Sequence, residues 1–151
     1  VIASRWPVVA AELVAMLRAD PALSGVDVLD GPPVGEPSGR DVISIGHALD
    51  DADDVAGSAA WAWHATGGQV DETSEIRCAV QSVSGSVDLA VPRARAFAIL
   101  DVVQSALRAD WTAGIDGAWS IDVSAGTVRQ AQTELGSGCR VEFTVTIHAL
   151  I

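Results

Sequence analysis

The chain has 151 residues, about half of them apolar (49%), with nine basic residues against twenty acidic ones for a formal net charge of −11. That size and apolar share can build one core without disulfide or metal staples, so a single domain over residues 1–151 is expected. The charge argues against a reader of nucleic acid, because attachment to phosphate backbones is driven by cationic side chains that release counterions. No run of roughly eighteen apolar residues occurs, and residues 1–18 lack the zones of a signal peptide, so synthesis and folding in the cytoplasm are expected. Asn, Lys and Tyr are absent and every basic side chain is Arg, a bias that high-GC codon usage accounts for.

The first element is a helix, because Trp6, Val9, Ala10, Leu13, Met16 and Leu17 recur at three- and four-residue spacing. Ser4 is placed to cap it, Pro7 sits in its first turn, and Pro21 stops it. Two short strands follow, Val26 to Leu29 and Val42 to Ile45, separated by the turn-rich stretch from Asp30 to Arg40. After an acidic, small-residue segment from Asp50 to Gly57, Trp61 and Trp63 alternate with small residues on the first strand of a hairpin. Gly67 and Gly68 make its turn, and its return strand runs from about Thr73 to Val83. On that return strand Ile76, Cys78 and Val80 face one way, and Arg77, Ala79 and Gln81 face the other.

Pro92 then suits the first turn of a second helix, with a stripe of Ala96, Phe97, Leu100, Val103 and Leu107, and Ile99 alongside. The rest reads as β structure: Trp119, Ile121 and Val123 in alternation, a middle segment from Val128 to Thr133, and a final strand. In the final strand every second residue from Cys139 to Ala149 is apolar, and Arg140, Glu142, Thr144, Thr146 and His148 take the other face. The resulting fold class is α+β, a mainly antiparallel sheet with a long hairpin and two helices packed on one face.

Catalytic spacing is missing. No G-x-S-x-G elbow, P-loop or dinucleotide fingerprint occurs, and Ser137 between Gly136 and Gly138 reads as a hairpin turn. His47, His64 and His148 share no ligand spacing. Asp50, Asp51, Asp53 and Asp54 lack the glycine and the final glutamate of a calcium loop, with Trp61 standing where that glutamate belongs. Cys78 and Cys139 match neither a disulfide framework nor a zinc site and fall in strand phase with apolar neighbours, so buried free thiols are expected. No catalytic residue, cofactor or metal is therefore expected. Trp61 and Trp63 are candidates for subunit contact, since aromatic side chains concentrate at protein interfaces.

Three stretches carry a resemblance to a known family: LVAMLRADPALSGVDVLDGPPV (residues 13 to 34), EIRCAVQSVSGSVDLAVPRARAFAILDVVQSALRAD (75 to 110) and VRQAQTELGSGCRVEFTVTIHALI (128 to 151). Their order of helix, short strands, hairpin, helix and closing β segment resembles the tail terminator, or tail completion, proteins of long-tailed siphophages. The resemblance implies a structural virion protein without enzymatic activity. It would form a six-fold homo-oligomeric ring at the head–tail junction, capping the tail tube protein and meeting a head-completion or connector protein. DNA would pass through the lumen without specific binding, and Asp50, Asp51, Asp53 and Asp54 are the candidate lumen-lining loop, since acidic walls repel phosphate. The resemblance extends to other neck and tail-completion proteins. From a different class, a small acidic inhibitor or immunity protein masking a basic enzyme shares the same composition.

Overall fold

The computed structural model describes residues 4–32, 40–47, 55–63, 67–110 and 117–151. Helix α1 (Trp6–Ala19) buries Val9, Ala10, Leu13, Val14 and Leu17 on one stripe. Ser4 does not cap it as expected. Its Oγ accepts from the Trp6 N–H at 3.1 Å, while Arg5 holds the cap position. The Arg5 N–H instead donates to Glu72 Oε1 at 2.7 Å, so a distant strand supplies the acceptor at the helix start. Asp20 leaves helical geometry ahead of Pro21, which opens a short 3₁₀ turn, Pro21–Leu23. At the same end the Arg18 guanidinium donates twice to the Val28 carbonyl, at 2.9 and 3.1 Å, and ties the helix to the first strand.

Helix α2 (Ala90–Ala109) buries Pro92, Ala96, Ile99, Leu100, Val103 and Leu107. Phe97 is the exception to the expected stripe and stands 42% exposed. At 3.6 residues per turn it lies about 100° round the helix from Ala96, off the line that faces the sheet.

The six strands are β1 (Asp27–Asp30), β2 (Asp41–Ile45), β3 (Gly57–Trp63), β4 (Val70–Ser84), β5 (Ala118–Thr133) and β6 (Gly136–Leu150). They form one sheet in the order β1-β2-β4-β6-β5, with β3 also paired to β4. All pairings are antiparallel except β1 with β2, which run parallel. Strands β2 and β3 lie end to end on one edge of β4, opposite Cys78–Ser82 and Val70–Ile76 respectively. At the junction the Gly46 N–H donates to the Arg77 carbonyl at 2.8 Å and the Arg77 N–H to the Ala56 carbonyl at 2.9 Å. Gly46 and Ala56 therefore both bond to the main chain of the same residue.

The β3–β4 hairpin closes through Gly67 and Gly68, both at positive φ (101° and 68°), a conformation that side-chain-bearing residues adopt at a cost. The segments expected separately around Ile121 and after Val128 are one strand, β5. Register shifts between Ala118 and Ser120 and between Ala125 and Val128 absorb its irregularity. The turn to β6 is at Glu134 and Leu135, not at Gly136–Gly138; Ser137 already pairs with Ser84 and Gln132 inside the sheet.

Both helices cover the same face of the sheet. Ile43 and Ile45 of β2, Ile76, Cys78 and Val80 of β4, and Cys139, Val141, Phe143, Val145 and Ile147 of β6 join the helix stripes in one core cluster. Ala79, expected on the wet face, is fully buried there. Its methyl group lies between the longer cross-strand neighbours Ser44 and Glu142. Cys78 and Cys139 are free and buried as expected. Cys139 pairs with Ser82, four residues along β4 from Cys78, which puts the thiols roughly 13 Å apart along the ladder and beyond disulfide reach.

Candidate assembly surface

Trp61 and Trp63 pair across β3–β4 with Glu72 and Val70 and so lie on the helix side of the sheet. Helix α1 begins at Trp6, whose indole N–H donates to the Glu75 carbonyl at 3.0 Å. A Cβ at Gly57 would collide with that same carbonyl oxygen and crowd the Trp6 indole, so only glycine lets strand and helix start approach this closely. Past Trp6 no helix among the described residues covers the hairpin. Trp61 and Trp63 are left 54% and 70% exposed, on a strand whose outer edge has no partner among the described residues. The sequence expectation for these two residues thus meets an exposed aromatic pair at the end of a hairpin.

The residue that fixes the hairpin was not among the expected site residues. Glu72 is only 1% exposed. Its Oε1 accepts from the Arg5 N–H at 2.7 Å and from the Ser74 hydroxyl at 2.9 Å, and its Oε2 accepts from the Trp61 indole N–H at 2.7 Å. The carboxylate thereby joins β3, β4 and the start of α1, where the helix dipole favours a negative charge. The available signal was its phase: Glu72 shares the strand face of Ile76, Cys78 and Val80, and a carboxylate in core phase demands donors.

The opposite end of the sheet carries a second apolar group. Leu135, at the β5–β6 turn, is 92% exposed, and Val83, Val87 and Val91 are exposed nearby. Buried Ser137 holds this end in place, donating its hydroxyl to the Ser86 carbonyl at 2.7 Å and lying 3.3 Å from the Asp88 carbonyl. The Gln132 amide donates to the Val87 carbonyl, and Arg93 donates to Gln130 at 2.9 Å. On the face away from the helices a shallow depression of about 300 Å³ is lined by Val83, Ala131, Thr133 and Leu135, with Gly136 and Gly138 beneath it.

Burial pushes the Cys78 thiol up to about 12 and also raises Cys139, where the nearby Arg93 charge partly offsets it, so neither is a ready thiolate. His148 shares a 3.0 Å hydrogen bond between Nδ1 and the Thr73 hydroxyl. Among the described residues no group of three or more His, Cys, Asp or Glu side chains is arranged to hold a metal ion. Nor is any described helix long and apolar enough to cross a membrane. His64 and the four candidate lumen residues Asp50, Asp51, Asp53 and Asp54 lie outside the described residues.

No family model matches the chain, and no curated protein matches it. A chain in the solved virion of a native gene transfer agent particle is similar in structure, with a TM-score of 0.52, 18% identity, and coverage of 93% of this chain and 94% of that one. At that identity the likeness is one of fold, and it spans nearly the whole of both chains.

Proposed function

We propose that this chain is a structural subunit of a phage-like virion, and within that class a tail terminator. In this reading it closes into a six-fold ring at the head–tail junction, covers the terminal surface of the tail tube and meets the head connector. The observation that carries the reading is the exposed pair Trp61 and Trp63 on an edge strand. A monomer gains nothing from two exposed indoles, one of them held in place by a buried carboxylate, whereas a subunit contact buries them. The near-complete fold likeness to a virion chain supports the same class.

The outer edge of β3, unpaired among the described residues, adds backbone donors and acceptors for a neighbour, and a head-to-tail contact that closes on itself makes a ring. No side-chain chemistry enters the proposed function; the chain acts by geometry. Asp50, Asp51, Asp53 and Asp54 remain the proposed lumen lining, and neutralising all four is expected to leave the ring intact and slow DNA passage.

Light scattering of the purified protein, alone and with tail tubes, tests the reading against the acidic-inhibitor alternative. A ring on the tube supports the terminator, and a monomer indifferent to tubes removes it. Replacing both tryptophans by Ala should weaken subunit contact by about 2 kcal/mol or more for each. Phage lacking the protein should accumulate overlong tails unattached to heads. Tails of normal length joined to heads would exclude the terminator role.

A further inference from the structure

At the tryptophan end the sheet runs β3-β4-β6-β5, and among the described residues its outer strands β3 and β5 each have one unpaired edge. Rows across it run Gly57–Ile76–Val145–Val123 and Ala59–Ser74–Ile147–Ile121. The two edges therefore lie level, roughly 14 Å apart across three strand spacings, and cannot meet within one chain. We propose that, in the ring described above, the β3 edge of one subunit pairs antiparallel with residues 120–124 of β5 in the next copy, Trp61 opposite Val123 and Trp63 opposite Ile121. The inference rests on the ring reading and names the edge that receives β3.

The main chain favours a second copy as the occupant. Consecutive strands of this four-stranded end all run antiparallel, so β3 and β5 point in opposite directions and a copy placed alongside continues the alternation. The Arg77 N–H donates to the Ala56 carbonyl, so Ala56 and every second residue after it turn their main-chain groups toward β4. Ala59, Trp61 and Trp63 turn theirs outward. Val70 and Ile151 exchange both bonds, at 3.0 and 2.9 Å, so the odd-numbered residues of β6 face β4 and the even-numbered ones face β5. Opposite those even residues stand Ser120, Asp122 and Ser124, which leaves Ile121 and Val123 facing out.

Neither edge is protected against pairing. Strand β3, GSAAWAW, has no charge, no proline and an unbroken register, and the register shifts of β5 fall on either side of residues 120–124. At the far side of the sheet, by contrast, the Arg18 guanidinium occupies the Val28 carbonyl of β1. The proposed register sets indoles against β-branched side chains on the helix side, a favourable cross-strand pairing, and on the other face sets Ala60 against Ser124 and Ala62 against Asp122, with no like charges opposed. Between α2 and the β5 edge lies a depression of about 400 Å³ lined by Gln104, Leu107, Arg108, Ile121, Asp122 and Val123. It lies on the side of the sheet from which the indoles project, and the Arg108 guanidinium there can stack on one. Because the two edges differ, the contact is head-to-tail and propagates round a ring, whereas β3 against β3 would stop at a dimer.

The test uses Ala59→Pro and Val123→Pro in the full chain. Each removes an outward N–H and no bond of the existing ladder, so each variant should keep the parent's circular dichroism. In sedimentation velocity, where the parent forms rings, each variant alone should remain monomeric. Mixed in equal amounts they should form a one-to-one heterodimer and nothing larger, since one intact β3 edge and one intact β5 edge remain. A second measurement leaves the edges whole: the double variant Ala60→Cys, Ser124→Cys, oxidised mildly, should link subunits into a covalent ladder that neither single variant gives. Cys78 and Cys139 are buried and stay out of this reaction. A Val123→Pro chain that still assembles, or rings in which positions 60 and 124 do not link, would overturn the inference and leave the ring reading standing. A parent chain that never associates, with or without tail tubes, would remove both.

Discussion

The two long hairpins solve one problem with different chemistry. Each extends past the helices that cover the sheet, each leaves large apolar side chains in water, and each is fixed at its base by a buried polar residue. At the β3–β4 hairpin that residue is Glu72, a carboxylate taking three hydrogen bonds from three parts of the chain. At the β5–β6 hairpin it is Ser137, a neutral hydroxyl held by main-chain carbonyls of the loop before α2. Hydrogen bonds to a charged group are about twice as strong as neutral ones, and losing the group strands several donors at once. The tryptophan hairpin is therefore held more firmly but fails more completely when its anchor is removed. The anchor also fixes the orientation of the Trp61 indole.

Removing the core both hairpins share sets the upper limit. Leu13→Asp and Leu100→Asp each bury an unpaired charge beneath the sheet and should cost about 3 kcal/mol or more by chemical denaturation, with Arg108→Ala within about 0.5 kcal/mol of the parent. Equal stability of the three would refute the packing of both helices on one face.

Glu72→Ala comes next. It leaves the Arg5 N–H, the Trp61 indole and the Ser74 hydroxyl without their acceptor, and should cost about 2 to 4 kcal/mol while shifting tryptophan emission as the hairpin loosens. Ser137→Ala should cost only about 1 kcal/mol and leave the emission unchanged. If the two anchors cost the same, the contrast between charged and neutral anchoring fails.

The smallest effect concerns the thiols, which lie beneath the sheet between the two hairpins. The folded Cys78 thiol is raised from 9.0 to about 12 by burial. Above pH 9 the unfolded chain loses this proton and the folded chain keeps it, so the thiol's contribution is complete below pH 9 and is eroded as pH rises toward about 12. Thiol labelling at pH 8 should be slow at both cysteines and fast after unfolding. Rapid labelling of Cys78 in the folded protein would contradict its place in the core.

Local sequence was enough wherever one residue's surroundings came from its own element. The stripe of α1, the glycine turn of the tryptophan hairpin and the alternation from Cys139 to Ala149 are properties of periodicity, and the backbone follows them. The shared strand face of Trp61 and Trp63 was legible for the same reason. Their exposure was not, because it depends on where α1 begins across the sheet.

Three other features depended on contacts between distant segments. Glu72 became an anchor because Arg5 and Trp61 arrive from elsewhere in the chain. The parallel pairing of β1 with β2 and the collinear placement of β2 and β3 along β4 are choices of partner, which hydrophobic alternation leaves open. The separation of Trp63 and Leu135 to opposite ends of one sheet likewise exists only once β4, β5 and β6 are in register, because strand pairing, not sequence distance, sets which side chains share an end.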